Sequence, residues 1–382
     1  MTTLFDPIRL GDIEAPNRIF MAPMTRARGT RYHLPTTIMA QYYAQRASAG
    51  LIISEAIGIA QQGLGWPFAT GLWSDEQVAG WLRVTDAVHS AGGRIIAQLW
   101  HMGRTVHPSF NGGAQPLSAS GTTAPGHAHT YSGKQPYVAG RPMRADEVPA
   151  LLDDFRRATR NALRAGFDGV QVHAANGYLI DEFLRDGTNL RDDAYGGSIE
   201  NRVRLLREVT QAVIGIAGAG RTGVRLTPNG TDQGVRDSDP EPVFVAAART
   251  LSALGVAHLE LREPPMNGTF GTSDRPPFAP AIRKAFADVS ILNSDYGLDR
   301  AAAAISSDEA DASPLAGRSS QIPICRSALA QALRWRPIRA CCGSRKGRRA
   351  ISTTPLSPEP TFTEPFKGMQ PDRPSVSRQF VA

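Results

Sequence analysis

No apolar run in the 382 residues approaches the roughly eighteen that a membrane-spanning helix requires, so no membrane partner is expected. The N-terminus, MTTLFDPIRL, has neither the basic region nor the apolar core of a signal peptide, and a cytoplasmic protein is the expectation. Cysteine is missing from the first 312 residues; Cys325, Cys341 and Cys342 lie beyond them, while all eight histidines lie within them. The same stretch is almost without net charge. It holds thirty Lys and Arg against thirty-two Asp and Glu, a net of −2, whereas residues 313–382 hold twelve against three, a net of +9. The overall +7 is therefore a property of the tail and carries no information about partners of the body. With 41% apolar and 20% charged residues the composition is globular, and the length suffices for one large domain or two ordinary ones.

Up to residue 312 short β-rich runs alternate with amphipathic helical stretches. The expected strands are 18–24 (RIFMAPM), 51–56 (LIISEA), 94–100 (RIIAQLW), 169–174 (GVQVHA), 222–228 (TGVRLTP), 257–263 (AHLELRE) and 289–294 (VSILNS). Helical periodicity fills the intervals. Ser74 and Gln77 have capping-box spacing ahead of one helix, with Gly92 near its stop, and Gly166 closes another that begins at Val148. Strands that alternate with helices pair in parallel through right-handed crossovers. No G-x-G-x-x-G follows the first strand, and polar residues collect where strands end. Both features favour a (β/α)8 TIM barrel over a doubly wound sheet, with the active site at the strand C-termini. The eighth strand is expected after the helical DRAAAAISSDEADA, but SPLAGRSS stands there instead of an apolar run, so the eighth strand and C-terminus are expected to be disrupted. The domain reading is a barrel over 1–312 and an aberrant basic, Pro/Ser/Arg-rich tail over 313–382. For the tail, a disordered arm, a nucleic-acid-binding extension and an out-of-frame reading compete.

The strongest chemical signal is HAANGYL at 173–179, at the end of the fourth strand. His173 and Asn176 can both donate a hydrogen bond to one substrate oxygen, and Tyr178 offers a phenol as proton donor. Together with YGGSIENR at 195–202 and RIFMAPMTR at 18–26, this motif resembles the Old Yellow Enzyme family of flavin-dependent ene-reductases, in its N-ethylmaleimide reductase or alkene reductase branch. The resemblance runs from about residue 3 to residue 312.

The resemblance implies FMN as cofactor and NAD(P)H as reductant. It implies that Pro23, Met24 and Thr25 hold the flavin at the end of the first strand, with Thr25 near O4. It likewise implies Ala56 against the same edge of the ring, Gln98 on the pyrimidine edge, Arg225 near N1 and O2, and Asn293 and Ser294 as half of a phosphate site. Thr25 and Gln98 could equally be ordinary polar residues of a barrel mouth, and Arg225 half of a buried ion pair. The implied reaction is ping-pong reduction of an activated alkene, with enones, maleimides and nitro compounds as acceptors. His173 and Asn176 hold the substrate oxygen, flavin N5 delivers hydride, and Tyr178 protonates the other carbon. Trp66 and Trp100 are either pocket walls or core aromatics. YGGSIENR reads as structural, with Gly196 and Gly197 in a tight turn before a helix opened by Ser198. The missing cysteines argue against related reductases with an iron–sulfur cluster, and no metal is expected. A monomer or homodimer is expected, with small molecules and no nucleic acid as partners.

In the family the eighth strand ends in a Gly-Arg-Pro-Phe type sequence that completes the phosphate site. Residues 313–382 contain none, and Arg318 is no substitute for its arginine despite the preceding Gly317. Back-translation from Ala312 through Leu329 in a frame displaced by two bases can yield IAFGRPFLANPDLPERF, which resembles the family's eighth strand. The tail therefore reads as a frameshift product. The alternative to a working enzyme is a non-catalytic, cofactor-poor remnant.

Overall fold

The computed structural model describes residues 2–268 and 271–314. Its centre is an eight-stranded parallel sheet: β1 (Ile19–Met21), β2 (Leu51–Gly58), β3 (Ile95–Trp100), β4 (Gly169–Ala174), β5 (Thr222–Leu226), β6 (His258–Arg262), β7 (Val289–Asn293) and β8 (Ser313–Pro314). Each of the seven expected strands forms within the stretch proposed for it, apart from β2, which runs two residues further. The strands follow one another in chain order around the sheet, with β8 beside β1. The sheet closes through a parallel bridge between Ile291 and Ala312 and a hydrogen bond from Leu292 N to Ala312 O of 3.3 Å. The fold is thus the (β/α)8 barrel that the alternation implies.

The eighth position needs a correction in detail. A strand is present, although SPL carries no apolar signal. Ser313 is buried, its N–H donates to Arg18 O (3.1 Å) and its hydroxyl to Leu292 O (3.0 Å), so ladder and side-chain bonds do what apolar packing does elsewhere. Asp311 locks this seam: its carboxylate accepts from Ser290 N (2.8 Å) and Arg283 Nη1 (2.7 Å), while its carbonyl accepts from Arg18 Nη1 (2.8 Å). The tail reading over 315–382 lies outside the described residues.

Helices cover the outside of the barrel: α1 (Thr37–Ala44), α2 (Asp75–Ser90), α3 (Val148–Arg164), α4 (Leu179–Leu184), α5 (Ile199–Ala217), α6 (Pro240–Ala253), α7 (Ala279–Ala285) and α8 (Leu298–Ser306). The capping box of α2 forms as its sequence implies, and the Ser198 hydroxyl caps α5 by accepting from Asn201 N. None of the helices among the described residues is long and apolar enough to cross a membrane. At the N-terminal end of the strands a hairpin of Ile8–Leu10 and Ile13–Ala15 plugs the barrel, packing Leu10, Ile13 and Ala15 against the inward-facing Phe20, Leu51, Ile53, Ile96 and Ile291. A second hairpin, His127–Thr130 with Gly133–Pro136, has no counterpart in the periodicity reading and rises after β3. With the lower end filled by aliphatic side chains, the strand C-termini are left to build a site.

Because the Asp311 carboxylate accepts from Ser290 N and from the Arg283 guanidinium at the closing seam, Asp311→Ala should lower unfolding free energy by about 1–3 kcal/mol. Chemical denaturation measures this, and a midpoint unchanged from the parent would remove Asp311 as the seam's lock.

Candidate active site

The period of two along a strand sends alternate residues into the barrel. On β3 these are Ile96, Gln98 and Trp100; on β4, Gln171 and His173; on β5, Gly223 and Arg225; on β6, His258, Glu260 and Arg262; and on β7, Ile291 and Asn293. Register then sets neighbours side by side: Gln98 with Gln171, His173 with Arg225, Arg225 with Glu260, and Arg262 with Asn293. Aliphatic side chains occupy the lower layer and polar ones the upper layers. Gly223 makes room for this packing, because a Cβ there would stand 2.0 Å from the His258 ring.

The upper layers open into a cavity of about 270 Å³. Its wall includes Pro23, Met24, Thr25, Ala56, Gln98, Trp100, His173, Asn176, Tyr178, Arg225, Asn293 and Ser294. Every candidate residue except one thus shares a single space, drawn from six strand ends. The exception is Trp66. It is outside the wall and packs on His129 at a ring separation of 5.0 Å, held by the hairpin that the periodicity reading missed. Trp100, whose alternatives were wall or core, lines the cavity and stacks on His173 at 6.4 Å and 22°. Ser294 and Asp295 turn the chain at the end of β7 through φ of 123° and 49°, which brings both to the cavity, while Tyr296 lines a second cavity beside α7 and α8.

The loop after β4 is held from below. Gly177, at φ +75°, passes so close to the next loop that a Cβ would stand 2.3 Å from Asp232 O. Its N–H donates to the buried Asp181 carboxylate (2.9 Å), which also receives Arg185 Nε (2.9 Å). Asn176 itself has φ 60°, and its side-chain oxygen accepts twice, from Thr227 Oγ1 (2.8 Å) and from Arg262 Nη1 (3.2 Å). Thr227 Oγ1 accepts the Asn176 N–H (3.2 Å), so its own proton is directed at that oxygen. Arg262 is in turn held by Asp232 Oδ2 at 2.5 Å. With Oδ1 occupied, the Asn176 amide presents N–H donors to the cavity.

Burial and the Arg225 and Arg262 charges push the His173 imidazole well below its ordinary value, so it is a neutral ring with one N–H to donate. Burial likewise holds the Tyr178 phenol far above its ordinary value, keeping its proton. The Tyr178 ring meets His173 edge-on at 5.1 Å and Trp100 at 5.0 Å. Arg225 is 5% exposed, and its nearest counter-charge is Glu260 at 3.6 Å. Its Nε, His173 Nδ1 and Ser294 Oγ are buried with no hydrogen-bond partner. With Trp100 Nε1, likewise buried and without a partner, four unsatisfied polar atoms belong to the wall of one space, the mark of a site shaped for a polar ligand. A cofactor with a polar heteroaromatic edge and an anionic group fits that donor set.

Arg262, Asp232 and Gln233 were not among the candidates, yet they line the cavity. Arg262 was within reach of the alternation rule, since it follows Glu260 in the inward phase of HLELR. Asp232 and Gln233 come from the loop after β5, which no periodicity marks.

The sequence profile described as the NADH:flavin oxidoreductase / NADH oxidase family matches residues 3–308. The crystal structure of the old yellow enzyme homologue from Zymomonas mobilis superposes with a TM-score of 0.81 at 59% identity, over 82% of this chain and 88% of that one. Morphinone reductase in complex with tetrahydroNAD gives a TM-score of 0.77 at 41% identity, over 82% of this chain and 86% of that one. A probable flavin mononucleotide-dependent alkene reductase of Leishmania infantum is 38% identical over 321 residues, 81% of this chain and 85% of that protein.

The neutral His173 has a direct check. Its ring signal in a histidine NMR titration should stay unshifted between pH 6 and 8, and an inflexion near the ordinary imidazole value would overturn the assignment of a neutral donor.

Proposed function

The chain belongs to the NADH:flavin oxidoreductase / NADH oxidase family, and from that membership we propose that it is a cytoplasmic, FMN-dependent reductase of activated C=C bonds in enones, maleimides and nitro compounds. The observation that carries this reading is the meeting of His173, Asn176 and Tyr178 with an incompletely paired Arg225 in one cavity. When bound, FMN would supply the two-electron redox chemistry that links NAD(P)H to the alkene. Arg225 would hold the electron-rich edge of the cofactor, and Gln98 its pyrimidine edge. Pro23, Met24, Thr25 and Ala56 would line the ring, with Asn293 and Ser294 on the phosphate side.

The substrate's carbonyl or nitro oxygen is held by two donors, the His173 imidazole N–H and the Asn176 amide. Both are neutral, so they draw electron density from the double bond without adding a charge that would have to be desolvated. Thr227 and Arg262 keep the amide donating, and they do so without contributing a donor of their own to that oxygen. Tyr178 delivers a proton to the carbon next to the activating group, and its retained phenolic proton suits it to act as acid rather than base. Trp100 forms the flat wall against which a planar alkene lies. This arrangement selects for a planar acceptor with one exposed oxygen.

We further propose that residues from about 313 onward are read out of frame. The shift in charge, the missing Gly-Arg-Pro-Phe and the back-translated string support this, and the family match ends at residue 308. Sequencing the gene around codon 312 decides it: a frame continuous with this chain in independent isolates would remove the sequencing-error form of the proposal.

Gel filtration of the full chain after addition of FMN, followed by the visible spectrum, tests cofactor binding. Flavin bands should travel with the protein; a colourless, aggregating chain would support the cofactor-poor remnant instead. With FMN retained, Tyr178→Phe should slow reduction of 2-cyclohexenone about 10²-fold or more, with cofactor reduction by NAD(P)H largely intact. Equal losses in both half-reactions would take the proton-donor role from Tyr178.

A further inference from the structure

Among the described residues, Glu260 is the one inward-facing barrel carboxylate that lies beneath the cavity without reaching its wall. It lies at the centre of β6 with 0% exposure, and three side-chain donors stand around it. Asn293 Nδ2 donates to Oε1 at 2.6 Å, Gln171 Nε2 donates to Oε2 at 2.9 Å, and Arg225 Nε stands 3.6 Å from Oε1. A carboxylate can only accept, so the directions of the bonds are forced outward from it. Gln171 commits its Nε2 to Glu260, which leaves its Oε1 to accept from Gln98 Nε2 at 2.7 Å. One of the two Nε2 hydrogens of Gln98 is then committed to Gln171, and its Oε1 remains to accept from a group in the cavity that Gln98 lines. One group behind the wall thereby orients Asn293, Gln98 and Arg225, which line it on different sides.

Charge works through the same geometry. A negative carboxylate 3.6 Å behind the Arg225 guanidinium, in a region from which water is excluded, cancels part of the field that Arg225 projects into the cavity. A group that gains negative charge in the cavity is stabilised less than Arg225 alone would allow.

We propose that Glu260 is a positioning residue for the cofactor: it dictates that Gln98 presents an acceptor to FMN, and it moderates the Arg225 charge and so holds the FMN reduction potential down. This rests on the reading of the cavity as an FMN site. Glu260→Gln keeps the shape while removing the charge. It also introduces a donor, which allows the Gln171–Gln98 chain to reverse and turn an amide N–H where the acceptor stood.

The test uses the full chain saturated with FMN, with the midpoint potential read by dye-coupled spectrophotometry and FMN affinity by fluorescence titration. In Glu260→Gln the affinity for reduced relative to oxidised FMN should rise about ten-fold, a positive shift of about 30 mV for a two-electron couple. Glu260→Asp, which restores the charge, should return the potential toward the parent value. An unchanged potential in Glu260→Gln with FMN bound would overturn the role of Glu260 while leaving the FMN site standing. Should Glu260→Gln fail to fold, Gln171→Met cuts the relay and leaves the carboxylate in place. FMN affinity should then fall, and an affinity equal to the parent's would overturn the proposal. A parent chain that binds no FMN removes the underlying reading, and the role of Glu260 with it.

Discussion

Everything above the middle of this barrel follows from placing a guanidinium and a carboxylate where a parallel barrel ordinarily places branched aliphatic side chains. Arg225 and Glu260 are 5% and 0% exposed, and neither could be buried alone without a large desolvation cost. Their 3.6 Å separation leaves the pair loose, and the remaining hydrogen-bonding capacity is distributed among Asn293, Gln171 and, through it, Gln98. The aliphatic layer below and the N-terminal hairpin exclude water from beneath, so Gln98, Arg225 and Asn293 turn to the cavity above, with Glu260 and Gln171 behind them. The interior of the fold is divided into a part that supplies cohesion and a part that gives up cohesion for a site.

The same division explains how the walls of the cavity are held still. Asn176 owes its donor face to Thr227 and Arg262, and the loop that carries it is tied to Asp181, which is tied to Arg185. Neutral His173 and protonated Tyr178 are consequences of one cause, the low polarity of a closed space, acting on a base and on an acid in opposite directions. Both outcomes are the protonation states that an oxygen-polarising donor and a proton donor require.

Much of this was legible in the residues. The alternation of apolar runs with amphipathic helices located seven strands, and HAANGYL lay at the end of one of them. Arg225 was readable as inward-facing because it sits within the apolar strand pattern of GVRLTP. The eighth strand was not readable, since Ser313 belongs to the sheet through its own hydrogen bonds to Arg18 and Leu292, with Pro314 in register beside Phe20, and not through an apolar pattern. The alternatives for Trp66 stayed open for a related reason: its position depends on His129, from a hairpin whose sequence, GHAHTYSGKQP, has no strong strand signal.

By itself the sequence determined the period of each segment, the right-handed parallel order that follows from it, and the identity of the groups at each strand end. These are local properties, set by side chains within a few residues of one another. Only the tertiary structure decided which groups face one another across the barrel. The register of β3 to β7 pairs Gln98 with Gln171 and Arg225 with Glu260, over separations of 73 and 35 residues. Strand register is settled by the packing of the whole closed sheet, and the direction of each hydrogen bond then follows from whether the group opposite can donate or only accept.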